Sequence, residues 1–320
     1  MIKVLITGYS GFVSNHFISY LDTLNLPIEI IGISRGSVES ISPSHLKIKT
    51  YQGDLKNALF VKEIIASVKP DYILHLASDS SVAYSWENPL ESFLNNTNIF
   101  LNVAEAVRSS HTDCRILSVG SSEQYGIVSP ENIPITEACP LNPISPYAVA
   151  RVSQEMLSKI YADGYGLDIV MTRSFNHIGP GQTEKFVISS FIKQILYKKY
   201  INPNEVFTVG NVEIIRDFLD VRDVVKVYWN LLLKGKKGQI YNVCSGIGFS
   251  LKEIIEKILY LAKVDFNYIK DESLVRPADN PLIIGSNKKL TSELGWEQMF
   301  SIDQSLLDII EYWENQLITK

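Results

Sequence analysis

The stretch Ile2–Gly11, IKVLITGYSG, runs a β-branched strand straight into a glycine turn, and a helical pattern follows at once. This junction narrows the choice of fold more than any other part of the chain. An apolar strand without polar alternation needs cover on both faces, which is the situation of a parallel strand inside an α/β sheet. Four further runs repeat the theme: Ile28–Ser34, Tyr72–Ala77, Arg115–Ser121 and Asp168–Asn176. Segments between them, such as NALFVKEIIASVKP and NIFLNVAEAVRSS, place apolar residues at helical spacing. Alternation of this kind predicts a doubly wound, Rossmann-like parallel sheet, here assigned to residues 1–178 as a dinucleotide-binding domain.

After about Gly179 the rhythm changes. Ser250 with Glu253 forms a capping-box pattern ahead of a stripe of Leu251, Ile254, Ile255, Ile258 and Leu259. Ser301 with Gln304 does the same ahead of Leu306, Ile309, Ile310, Trp313 and Leu317. Residues 179–320 are therefore expected to form a smaller domain of mixed α/β structure that binds the substrate. No glycine-rich or charged linker divides the halves, so later strand and helix segments are expected to return to the first sheet.

A net charge of -5 and the absence of a basic cluster argue against nucleic acid as a partner. The three cysteines are widely spaced and the five histidines scattered, so neither a disulfide framework nor a metal site is expected. The N-terminal apolar run is too short for a signal-peptide core, and no run approaches membrane-spanning length. The expected compartment is the cytoplasm.

Gly8 and Gly11 permit a tight turn and a close approach of backbone to a pyrophosphate, which Phe12 and Val13 would meet at the helix N-terminus. Ser14 stands third in this series, where glycine or alanine packs closest. The second strand ends in Ser34 and Arg35 with no carboxylate, which favours NADP(H), with NAD(H) the second choice. Asp54 and Leu55 end the third strand on the adenine side, and Leu76 and Ala77 end the fourth beside the adenosine ribose.

Tyr147 and Arg151 in SPYAVAR are four residues apart and share one helix face. A cation beside a phenol favours its ionised form, and carbonyl reduction needs such a proton donor. Ser121, at the end of the fifth strand, could hold the same substrate oxygen, and Glu123 adds a carboxylate at that edge. Val149, Val152, Met156 and Ile160 form a second stripe on the Tyr147 helix, either core or subunit contact.

At these residues the chain resembles the extended short-chain dehydrogenase/reductase family, with Arg151 in the place of the lysine in its Tyr-x-x-x-Lys motif. The resemblance spans the whole chain. Within the family, GSSEQYG, TRSFNHIGPGQ, VGNVEIIRDFLDVRDVV and RPADNPLIIGSNKKL are most similar to GDP-4-dehydro-6-deoxy-D-mannose reductases, with GDP-mannose 4,6-dehydratases second. The resemblance implies that Tyr147 protonates the C4 oxygen of a GDP-linked 4-keto-6-deoxy sugar as NADPH delivers hydride, while Ser121 steadies that oxygen. It further implies substrate contacts from Ser122, Asn176, Lys193, Arg216, Arg276 and Asp279, and a homodimer formed by the helix near Phe93–Val107 with the one bearing Tyr147.

Two alternatives remain open at this level. Glu123 could act as the C5 base of a dehydratase, although the loop after the second strand is short for one. Arg151, Ser14, and Asp279 where the family usually has glutamate, depart from the pattern, and the first two leave a non-catalytic cofactor- and GDP-sugar-binding scaffold as the other reading. For an active enzyme, the arginine is expected to slow turnover and loosen cofactor placement, because its fork is longer than an ammonium and cannot give up a proton.

Overall fold

Seven parallel strands form the central sheet of the computed structural model, which describes residues 1–36, 45–274 and 280–318. In chain order the strands are β1 (Ile2–Thr7), β2 (Ile28–Ser34), β3 (Lys47–Gln52), β4 (Tyr72–His75), β5 (Arg115–Ser121), β6 (Asp168–Ser174), β7 (Asn176–Ile178), β8 (Phe207–Val209), β9 (Ile215–Asp220), β10 (Ile240–Val243), β11 (Gly248–Ser250), β12 (Tyr268–Lys270) and β13 (Leu282–Ile283). The helices are α1 (Phe12–Thr23), α2 (Ala58–Val68), α3 (Val82–Glu87), α4 (Pro89–Ser109), α5 (Pro146–Asp163), α6 (Val187–Tyr200), α7 (Val221–Lys234), α8 (Leu251–Ala262), α9 (Lys288–Leu294) and α10 (Ile302–Ile318). The spatial order of the large sheet is β10-β6-β5-β4-β1-β2-β3, and it reverses direction between β1 and β4.

Both faces of that sheet are covered, as its apolar strands require. Val4 and Ile6 of β1 pack with Phe17, Ile18 and Leu21 of α1 and with Val224, Tyr228 and Trp229 of α7. Leu5 points the other way, among Val61 and Ile65 of α2, Phe100 and Val103 of α4, and Tyr161 of α5. The period of two along one strand thus feeds two cores. Each fully buried aliphatic or aromatic side chain there contributes roughly 1.5–3 kcal/mol of transfer free energy.

The second assembly joins β11, β9 and β13, with β7 paired to β9, and a separate β8–β12 pair. Helices α6, α8 and α10 cover it through Ile192, Ile195, Ile254, Ile258, Leu306 and Ile309. The capping box at Ser250 and Glu253 forms in full. At Ser301 only half forms. Ser301 Oγ accepts from Gln304 N at 3.2 Å, but the Gln304 amide donates to Asp308 Oδ1 at 2.7 Å instead of returning to the cap.

The run Asp168–Asn176, expected as one strand, is two. β6 ends at Ser174, and Asn176 opens β7 in the other sheet. Phe175 marks the switch: its N–H donates to Val243 O at 2.9 Å, and its ring is buried with Tyr125, Ile135, Cys244 and Ile283. The chain then returns, with α7 packing under the large sheet and β10 adding its last strand beside β6.

Candidate active site

The C-terminal ends of β1, β2, β4 and β5 face one crevice beside the point where strand order reverses, the usual ligand position in such sheets. Gly8 closes β1 with φ 72°, and Gly11 N donates to Gly8 O at 2.9 Å. A Cβ on Gly8 would lie 2.9 Å from Ala77 N and 3.0 Å from Ala77 Cα, so only glycine lets the turn lie against the end of β4. Thr7 Oγ1 fastens this contact, accepting from Ala77 N at 3.2 Å and pairing with His75 Nδ1 at 3.0 Å. Gly11 is the N-cap of α1 and no side chain caps it, so the first N–H groups, those of Phe12 and Val13 among them, are left to a ligand. A turn with glycine at both ends beside uncapped helix donors fits the pyrophosphate of a dinucleotide.

Ser34 is buried, and its hydroxyl donates to Gly36 O at 2.9 Å, while its carbonyl accepts from Gly53 N at 2.9 Å. Arg35 beside it is exposed. The Asp54 carboxylate accepts from Lys56 N at 2.9 Å and closes its own turn. Leu55 is buried, and its carbonyl accepts from Asn102 Nδ2 of α4 at 2.8 Å. Leu76 N donates to Thr7 O at 3.3 Å, which places Leu76 and Ala77 against the glycine turn.

Ser145 caps α5 by accepting from Ala148 N at 3.1 Å, and Pro146 occupies the first turn, where its missing N–H costs nothing. The helix therefore starts so that Tyr147 sits at its mouth, 6 % exposed. Arg151 lies one turn on and is 5 % exposed. Its Nε donates to Tyr147 Oη at 3.2 Å, and its guanidinium lies over the Tyr147 ring, 5.2 Å from the centroid. Nη1 donates to Val119 O at 3.1 Å and to Gln154 Oε1 at 2.7 Å.

Ser121 Oγ, at the end of β5, accepts from Glu123 N at 3.2 Å, which leaves the hydroxyl proton for another acceptor. Ser122 is buried and Glu123 half-buried on the 3-10 turn that follows. That turn is held from behind. Gln124 Oε1 accepts from Ser121 N at 2.9 Å, and Gln124 Nε2 donates to Glu155 Oε2 at 2.7 Å. Glu155 forms a bidentate pair with Arg173 at 2.8 and 2.7 Å, with both side chains about 5 % exposed. Gln124, Gln154, Glu155 and Arg173 were not singled out from the sequence. The spacing of Gln154 and Glu155 from Arg151, three and four residues, was the signal available for two of them.

The substrate-side residues are placed unequally. Asn176 Nδ2 donates to Asp217 O at 3.0 Å, and Arg216 is buried, with Nη1 donating to Ile215 O at 3.0 Å and Asn280 O at 2.6 Å. Lys193 is taken up by Glu184 at 2.8 Å and lies over the Trp313 ring. Arg276 and Asp279 lie outside the described residues.

The sequence matches the family described as GDP-mannose 4,6 dehydratase over residues 5–309. The chain belongs to that family. A GDP-6-deoxy-D-mannose reductase of Pseudomonas aeruginosa is 32% identical over 315 residues, covering 98% of both chains. A GDP-6-deoxy-D-talose 4-dehydrogenase of Aggregatibacter actinomycetemcomitans is 26% identical, covering 99% of this chain and 98% of that one. The solved structure of RMD from Pseudomonas aeruginosa complexed with NADPH superposes with a TM-score of 0.85 at 30% identity, over 99% of this chain and 98% of that chain. Members of the GDP-mannose 4,6-dehydratase family oxidise or reduce sugars attached to nucleotides, and the crevice described above has the parts such chemistry requires: a dinucleotide cradle, a phenol with a cation, and a serine.

Proposed function

We propose that this chain reduces the C4 keto group of GDP-4-dehydro-6-deoxy-D-mannose with NADPH, giving a GDP-6-deoxyhexose of the GDP-D-rhamnose type. The observation that carries the reading is the Tyr147–Arg151 pair in the first turns of α5, tied to β5 by the hydrogen bond from Arg151 Nη1 to Val119 O. Bound NADPH supplies the hydride. Tyr147 Oη accepts from Arg151 Nε, so its own proton is directed away from the guanidinium and toward the sugar oxygen. As that proton leaves, the fixed guanidinium stabilises the phenolate left behind. Ser121, whose hydroxyl proton is not used within the turn, donates to the same oxygen. Glu123 serves as a hydrogen-bonding group near the sugar; its position is also that of a dehydratase base.

Gly8, Gly11, Phe12 and Val13 hold the pyrophosphate, Arg35 with Ser34 meets the adenosine ribose phosphate, and Asp54, Leu55, Leu76 and Ala77 border the adenosine. Ser122, Asn176 and Arg216 are assigned to the nucleotide sugar, and Arg276 and Asp279 are assigned to it by sequence alone. Lys193 is a weaker candidate, because Glu184 already neutralises it. Residues 1–178 with the returning α7 and β10 bind the cofactor, and the rest of 179–320 binds the GDP-sugar.

The working unit is a homodimer. Leu90, Phe93 and Leu94 on α4 and Val149, Met156 and Ile160 on α5 are between 36% and 72% exposed, which supports the subunit-contact reading of the α5 stripe. Leu94→Asp should convert dimer to monomer in sedimentation equilibrium. The cytoplasm is the proposed compartment, and the three cysteines are unpaired.

Incubation with NADPH and the 4-keto sugar tests the activity. Stoichiometric loss of reduced cofactor with formation of a GDP-6-deoxyhexose is expected. Dehydration of GDP-mannose without net cofactor change would establish a dehydratase instead. Binding of both ligands without product would establish a scaffold.

A further inference from the structure

We propose that Gln154 is the positioning residue for Arg151, and that the two act as one unit where the family's motif has a lone lysine. The proposal rests on the reading of Tyr147 as the proton donor. Gln154 is 1% exposed, three residues beyond Arg151 on α5. Its Oε1 accepts from Arg151 Nη1 at 2.7 Å, and its Nε2 donates to Ser118 Oγ at 2.9 Å and Val119 O at 3.2 Å. Ser158 Oγ, fully buried, lies 2.9 Å from Ser118 Oγ and donates to Gln154 O at 2.8 Å. Turning the amide over would set NH2 against guanidinium on one side and oxygen against Val119 O on the other. The network therefore permits one orientation.

The consequence lies in the planarity of the fork. Nη1 gives one N–H to Val119 O and the other to Gln154, so both its donors are used inside the protein. The guanidinium plane is then set. Nε–H reaches Tyr147 Oη, and one N–H of Nη2 leaves the same edge parallel to it. Nη2 makes no hydrogen bond to any of the described residues. The edge thus offers one donor to the phenol and a second beside it to a ligand lying against Tyr147, the place of the nicotinamide ribose hydroxyls. The space enclosed by Ser118, Gly120, Arg151 and Gln154 admits no water, so no solvent molecule stands in for the amide. Held this way, the longer cation is fixed by Val119 O and Gln154 Oε1, and under this proposal a firm cofactor placement replaces the loose one expected from the sequence.

The test compares Gln154→Leu, Arg151→Lys and the double variant with the wild type. NADPH affinity is read by nicotinamide fluorescence without sugar, and kcat and KM are read with the keto sugar. Loss of the charged hydrogen bond should weaken NADPH binding and lower kcat by about tenfold each in Gln154→Leu, with KM for the sugar unchanged. Arg151→Lys alone should also lose affinity, because it strands the buried Gln154 oxygen. The double variant should lose less than Gln154→Leu alone. NADPH affinity and kcat within about twofold of wild type in Gln154→Leu, or additive losses in the double variant, would overturn the proposal. If Gln154→Leu does not fold, Gln154→Met, which keeps the length of the side chain without an acceptor for Nη1, takes its place: about a tenfold loss of NADPH affinity supports the unit and an affinity within about threefold refutes it. Because cofactor binding is read without sugar, a wild type that ignores the keto sugar would refute the assigned reaction and leave this result standing.

Discussion

His75 makes the stability of the protein depend on pH in a way that can be worked out in advance. It ends β4 under the glycine turn, fully buried, with Nδ1 3.0 Å from Thr7 Oγ1 and Nε2 without a partner. Burial, reinforced by the nearby Arg151 guanidinium, pushes its pKa down from 6.5 to about 3. The unfolded chain takes up a proton at the ordinary value and the folded one does not until far lower pH. Stability from this source is therefore complete above the unfolded pKa and is lost as pH falls from about 6.5 toward 3. At about pH 5 the unfolded state has gained roughly 2 kcal/mol from this proton alone. His177, pushed by burial to about 4, acts in the same direction over a similar window. His75→Asn keeps a polar atom near Thr7 and removes the titration. Urea unfolding followed by circular dichroism at about pH 7.5 and 5 should show a difference in stability smaller by about 2 kcal/mol in the variant than in the wild type. An equal pH dependence in both proteins would refute the assignment.

Other consequences are as direct. Ser14 Oγ is fully buried without a partner in the third position of the glycine series, so Ser14→Ala should raise the unfolding free energy by about 1 kcal/mol in chemical denaturation. Gly8→Ala places a methyl 2.9 Å from Ala77 N at φ 72° and should weaken NADPH binding at least about tenfold in a fluorescence titration. Glu155→Leu leaves Arg173 buried without its carboxylate and should cost about 3–5 kcal/mol in unfolding free energy.

Much of the fold was legible along the chain because its signals are local. Four of the five strand runs, the glycine turn after β1, and the capped stripe of α8 depend on residues within a few positions of one another, and these form. Tyr147 and Arg151 were legible for the same reason, since helical spacing alone brings them together. Signals that depended on partners outside the pattern itself were misread or missed. Phe175 interrupts an apparently continuous strand because Val243 and the Tyr125 cluster draw it aside. Gln304 gives its side-chain amide to Asp308 one turn on, and the cap pattern at Ser301 does not show that competitor. Lys193, a candidate ligand contact, is paired with Glu184, which precedes the helix that carries it.

The sequence by itself determined the alternation of strand and helix, the glycine turn at Gly8 and the pairing of phenol and cation, because backbone sterics and short-range periodicity act before any tertiary contact exists. Only the tertiary structure decided how that cation is held. Ser118 and Val119 reach Gln154 from a strand more than thirty residues away, and Gln124 meets Glu155 at a separation of 31. Such contacts carry no periodic trace in the chain. Buried polar groups must find partners wherever folding places them, and the packing of α5 on β5 chose these.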